Sequence, residues 1–89
     1  VKSKTTIQFR NLYADLPPQV RQQGRTAYKQ FKEDPWHPSL RFKLVHPNLP
    51  IYSARVSKNY RAVGVRNESG IIWFWIGPHA DYDKLLSQL

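Results

Sequence analysis

Ile71-Ile72-Trp73-Phe74-Trp75-Ile76 runs straight into Gly77-Pro78-His79, and the reading of this stretch decides the fold. Consecutive β-branched and aromatic residues over this length make a strand. Alternation places Ile71, Trp73 and Trp75 on one face and Ile72, Phe74 and Ile76 on the other. A strand that is apolar on both faces belongs inside a sheet covered on both sides. Gly77-Pro78 ends it. A short terminal helix follows, with Tyr82, Leu85, Leu86 and Leu89 on one face.

Working outward, Asn67-Glu68-Ser69-Gly70 is a hairpin loop that leads back to a strand over residues 60–66. Ser57-Lys58-Asn59 turns the chain from a strand over residues 51–56. Before that, Pro47-Asn48-Leu49-Pro50 is a turn, and Leu40-Arg41-Phe42-Lys43-Leu44 alternates apolar and basic as a further strand. Upstream the period changes. Thr6 caps a first helix whose Phe9, Leu12, Tyr13 and Leu16 share one face. Asp15-Leu16-Pro17-Pro18 ends it and starts a second helix, lined by Val20, Gly24, Ala27, Tyr28 and Phe31, which Asp34-Pro35 closes. The short link makes the two helices antiparallel neighbours. The expected fold class is α+β. An N-terminal αα-hairpin packs on a roughly four-stranded antiparallel sheet, with a short C-terminal helix, in one domain over residues 1–89.

Net charge is +8 on 89 residues, with a pI near 10.1. That balance points to an anionic partner, nucleic acid or an acidic protein. The charge is concentrated: no acidic residue occurs from Pro35 to Asn67, where Arg41, Lys43, Arg55, Lys58, Arg61 and Arg66 all lie. The chain has no cysteine, which favours a reducing, cytoplasmic setting. The longest apolar run, Ile71–Ile76, is too short to span a membrane. Val1-Lys2-Ser3-Lys4 is not followed by an apolar stretch and does not read as a secretory leader.

Arg55, Lys58 and Arg61 flank one tight turn, and cations so placed can clamp a phosphate and stabilise negative charge in a transition state. For Lys58 an ordinary turn residue is the simpler reading. Arg61 lies in an otherwise apolar strand, where a charge must be paired or useful. His79, between strand and helix, suits proton transfer and equally suits capping or packing. Tyr82 matches the apolar helix face, so packing is its first explanation. Asp81 and Asp83 are accounted for by the positive end of the helix. Trp36, Trp73 and Trp75 are expected in the core. His37, His46 and His79 have no metal-ligand spacing, so no metal and no other cofactor is expected.

Three runs carry a resemblance. They are Asp34-Pro35-x-His37-Pro38-Ser39-Leu40-x-Phe42-Lys43, Tyr52-Ser53-x-Arg55-Val56-Ser57-x-x-Tyr60-Arg61-Ala62 and Trp73-Phe74-Trp75-Ile76-Gly77-x-His79-Ala80-x-Tyr82-Asp83. Together they resemble the RelE/ParE toxin superfamily of bacterial toxin–antitoxin systems. The resemblance implies a helical hairpin on an antiparallel sheet and a cognate antitoxin as partner. It implies one of two activities. RelE-like members cleave mRNA in the ribosomal A site without a metal, the ribose 2′-hydroxyl attacking the adjacent phosphate; ParE-like members inhibit DNA gyrase without chemistry of their own. An antitoxin-binding scaffold without activity is a third possibility. By position, the cleavage reading makes Arg61, His79, Arg55 and Tyr82 the catalytic set and Lys58, Lys43, Arg41 and Arg66 the RNA-binding set. As a departure from the resemblance, the middle strand carries Ser53 and Ser57 where strongly active members of the superfamily often place more lysine.

Overall fold

The protein, described by a computed structural model, is defined over residues 2–89. The elements are β1 (Lys2–Thr5), α1 (Ile7–Ala14), α2 (Pro18–Glu33), a 3₁₀ turn (Pro38–Leu40), β2 (Lys43–Leu44), β3 (Ile51–Ser57), β4 (Tyr60–Asn67), β5 (Gly70–Pro78) and α3 (His79–Gln88). One five-stranded sheet runs in the order β1-β5-β4-β3-β2. The helical hairpin covers one face and α3 packs on the other, so the α+β architecture is as the sequence implied.

The helix boundaries follow local chemistry. Thr6 Oγ1 accepts the Phe9 N–H at 3.0 Å and caps α1. Pro18 occupies the first turn of α2, where its missing N–H costs nothing. Tyr13 Oη donates to the Arg21 carbonyl at 2.8 Å, tying the two helices together across their link.

Two features correct the expected sheet. It has five strands rather than four and is mixed, because β1 pairs with β5 in parallel, Ser3 opposite Ile71 and Thr5 opposite Trp73. Lys-Ser-Lys-Thr has no apolar periodicity to announce a strand. Side chains hold it instead: Ser3 Oγ accepts from Tyr28 Oη at 2.9 Å and from the Trp73 indole N–H at 3.0 Å. β1 also runs so close to Gly70 that any side chain there would strike the Lys2 carbonyl; Gly70 has φ +143°. Second, the strand expected at residues 40–44 shrinks to Lys43–Leu44. Leu40 closes the 3₁₀ turn and Arg41 takes the left-handed conformation (φ 46°), which breaks the alternation.

β5 is internal, as its apolar faces require, but its two faces are not those that alternation assigns. Val63 pairs with Trp75 and Gly64 with Trp73, leaving Phe74 as an extra residue on β5. A bulge shifts the phase by one. Ile71, Trp73 and Ile76 therefore share the hairpin side, and Trp75 joins the α3 side. Gly64 lies opposite, where a Cβ would come within 2.9 Å of the Ile72 carbonyl and 3.0 Å of Trp73.

The hairpin-side core centres on Phe31, which meets Phe42 and Trp73 edge-to-face at 5.1 and 5.3 Å. The α3-side core is smaller. Fully buried Val63, with Ile51 and Tyr82, is surrounded by Phe74, Trp75, Leu85 and Leu86. No helix among the described residues is long and apolar enough to cross a membrane.

Candidate active site

Topology gathers the candidate residues. The β3–β4 turn and the β5–α3 junction lie at the same end of the sheet, because Tyr60 pairs with Pro78 and Arg61 with Gly77. The His79 N–H donates to the Asn59 carbonyl at 2.8 Å and fixes the start of α3 on that turn. Arg55 and Arg61 are register partners across β3 and β4, so both side chains leave the sheet on the α3 side. Lys58 stands exposed at the turn between them.

The Arg61 charge is satisfied by backbone. Its Nη1 donates to the carbonyls of Ser57 at 2.8 Å, Tyr60 at 2.9 Å and Lys58 at 3.3 Å. These bonds stiffen the turn and leave Nη2 and Nε without an acceptor among the described residues. Burial, and after it the like charge of Arg55, lower the pKa of the Arg61 guanidinium from its ordinary value. Arg41 adds to this effect, while Tyr82 and Asp83 oppose it. Arg41 thus belongs to the same electrostatic cluster, although it comes from the loop after the 3₁₀ turn.

His79 is half exposed, and its Nδ1 lies 3.3 Å from Asp83 Oδ2, one helical turn on. This is the one side-chain ion pair within 4 Å among the described residues. The ring also meets Tyr82 edge-on at 5.5 Å. With Nδ1 facing the carboxylate, Nε2 is the nitrogen left for a ligand. Asp83 thus does more than complement the helix dipole, and its i, i+4 spacing from His79 is the sequence signal for the contact.

Tyr82 occupies a different setting. It is 7% exposed, and its hydroxyl donates to Ser53 Oγ at 3.1 Å inside the α3-side core. Ser53 is the buried acceptor of this phenol. Lys43 pairs with Ser53 and is exposed beside this face. Arg66 is not brought to the cluster. It is five residues beyond Arg61 on β4, so it lies at the opposite end of the strand and on the opposite face. Trp36, expected in the core, is 55% exposed.

A second feature was not visible in the sequence. An apolar groove of about 470 Å³ opens between the helical hairpin and the sheet, lined by Phe9, Tyr13, Tyr28, Phe31, Val56 and Trp73 among others, with Arg55 at its rim. Its existence depends on how far the helices stand from the sheet, which no local pattern encodes. His37, His46 and His79 stay apart. His37 faces Ser39 and His46 Nε2 faces the Leu89 carbonyl at 2.8 Å, and no group of three metal-ligating side chains forms among the described residues.

Comparison with known proteins adds to this geometry. The toxin RelE in the RelB–RelE antitoxin–toxin complex of Methanococcus jannaschii has the same fold. It is 14% identical with a TM-score of 0.74, and the alignment covers 92% of this chain and 96% of that one. A YoeB/ParE toxin from Agrobacterium tumefaciens is 14% identical with a TM-score of 0.67, over 89% and 99% of the two chains. The isolated E. coli RelE toxin is 15% identical with a TM-score of 0.62, over 98% and 97%. No curated protein matches by sequence. The ParE-like toxin domain family matches residues 18–84, a span that runs from the first turn of α2 through the His79–Asp83 pair, and the chain belongs to that family.

Proposed function

We propose that the protein is the toxin of a toxin–antitoxin pair and that it cleaves messenger RNA in the ribosomal A site, in the cytoplasm, without a metal. The observation that carries this reading is the convergence of Arg55, Lys58 and Arg61 with His79 at one end of the sheet. In the reaction the 2′-oxygen forms a bond to phosphorus and the bond from phosphorus to the 5′-oxygen breaks. The products are a 2′,3′-cyclic phosphate and a 5′-hydroxyl. Arg55 and the free nitrogens of Arg61 face the charge that grows on the phosphate oxygens. His79 Nε2 takes the proton that leaves the 2′-hydroxyl and gives one to the departing 5′-oxygen, and Asp83 holds the ring for it. Lys58, Lys43 and Arg41 attract the RNA backbone. Tyr82 acts through position, its ring against His79 and its hydroxyl on Ser53.

The test is cleavage of mRNA on purified ribosomes. Cutting is expected, with a 2′,3′-cyclic phosphate end, and none when the scissile nucleotide is 2′-deoxy. Intact mRNA, together with inhibition of gyrase supercoiling, would replace this reading with the second one. That reading is a gyrase-binding inhibitor without chemistry. It is favoured by one observation, that Arg61 Nη1 and the Tyr82 hydroxyl are both occupied within the protein. A scaffold that only binds its antitoxin would do neither. In every case the antitoxin partner suits an acidic, amphipathic segment, its charge on the basic face and its apolar side in the groove beside Arg55.

A further inference from the structure

Trp36 departs from the expected core position in a particular way. Its indole rests on Phe42, which is 7% exposed, at a centroid distance of 5.0 Å, while 55% of Trp36 faces solvent. The Arg66 guanidinium lies 5.4 Å from the centroid of the Trp36 ring and 5.4 Å from that of Tyr52. Its Nη1 is 3.5 Å from the Tyr52 hydroxyl, and the Arg66 N–H is fixed on the Pro50 carbonyl at 2.9 Å. Among the described residues no carboxylate pairs with this guanidinium within 4 Å. Asp34 is near in sequence, but its Oδ1 accepts the Trp36 backbone N–H at 3.1 Å; Glu68 lies in the exposed β4–β5 turn.

Aromatic contacts hold the cation in place without neutralising it, and the indole beside it keeps open surface. That pairing has the two elements needed for an unpaired nucleotide: a flat apolar surface for the base and fixed N–H donors for the phosphate. A protein partner also uses exposed Trp, Tyr and Arg. The nucleotide is favoured because Trp36, Tyr52 and Arg66 all belong to the 35–67 stretch that has no acidic residue, on a chain of net charge +8. The patch is separate from the Arg61 cluster. Five residues of β4 place Arg66 about 17 Å along the strand from Arg61, on the other face.

We propose that Trp36 and Arg66 form a binding site for one unpaired nucleotide of single-stranded RNA, the base stacked on the open surface of the indole and a phosphate on the guanidinium. The site does not depend on the cleavage chemistry. It gives the protein a hold on RNA remote from the Arg55–Arg61 end.

The test is fluorescence anisotropy of a labelled single-stranded RNA decamer, titrated with the purified protein across a salt series. Trp36→Leu keeps an apolar contact on Phe42 and removes the stacking surface; Arg66→Gln removes the charge. Each is expected to weaken binding about tenfold, and Arg66→Gln to reduce the salt slope by about one unit. Lys29→Gln, an exposed change on α2, should leave binding within about twofold of wild type. Thermal melts of both test variants should match wild type, since Trp36 and Arg66 are not core residues. Wild-type affinity in Trp36→Leu and Arg66→Gln would overturn the proposal. So would a wild-type chain that fails to bind the decamer at about 0.1 mM in low salt. Unchanged RNA binding with loss of antitoxin binding would overturn it in favour of a protein-docking surface. Trp36-dependent RNA binding by a protein that leaves ribosome-bound mRNA intact would remove the cleavage reading and leave this site standing.

Discussion

The two faces of the sheet are built on opposite principles. The hairpin face is an aromatic core, Phe31 edge-on to Phe42 and Trp73, with Arg66 at one edge and Arg10 and Arg25 along the groove. The α3 face has a small apolar centre around Val63 and a margin of guanidinium and imidazole groups at one end. Both faces share the same strands, so their difference arises from alternation along β3 and β4. Ala54 and Ala62 pair across the strands toward the helices, and Arg55 and Arg61 pair next to them toward α3. One face carries the larger core while the other gathers the Arg55–Arg61 pair, and the two cannot be exchanged without moving the register.

The sharpest way to break this division is on the hairpin face. Phe31→Ala should cost about 3–5 kcal/mol of stability, read from chemical denaturation. A much smaller loss would mean that the aromatic core is not the principal source of stability. On the other face, Arg61→Ala should reduce cleavage of ribosome-bound mRNA by about 10²–10³-fold. Because Arg61 also binds three turn carbonyls, its melting temperature must be measured alongside. A rate loss accompanied by unfolding would assign Arg61 to the turn alone. His79→Ala should lower cleavage about 10²-fold with no change in melting, since its ring is half exposed; full activity in this variant would remove the proton-transfer role.

Tyr82→Phe tests the boundary between the two roles. The hydroxyl is buried on Ser53, so its loss should cost about 1 kcal/mol of stability and change cleavage far less than His79→Ala does. A loss of cleavage as large as that of His79→Ala, without destabilisation, would move Tyr82 to the reacting atoms. The smallest effect is expected from chelation. EDTA should leave cleavage unchanged once the magnesium needed by the ribosome is restored, because the three histidines are engaged in separate places.

The legible parts of the chain were those written as period or punctuation. α2 announced itself through Val20, Gly24, Ala27 and Phe31, and Pro17-Pro18 marked its start. β3, β4 and β5 followed from apolar runs and turn residues. What escaped depended on partners distant in sequence. β1 has no apolar signal because it is a polar edge strand held by Tyr28 and Trp73 hydrogen bonds to Ser3. Phe74 shifts the phase of β5 because Gly64 lies opposite on β4, and one strand read alone cannot reveal its bulge. At the candidate site, the union of Arg55, Arg61 and His79 follows from strand order, which the hairpin turns made readable. The burial of the Tyr82 hydroxyl on Ser53 and the exposure of Trp36 do not follow from it. Both depend on how a helix or loop lands on the sheet.

The parallel pairing of β1 with β5 also imposes an order in time. Residues 2–5 leave the ribosome well before their partners, residues 70–73. At roughly 5–20 residues per second, β1 waits several seconds for the strand that completes the sheet. The same late strand leads into His79, so the charged end cannot assemble on a half-made chain. The charged end is therefore complete only after residues 70–79 have emerged and paired.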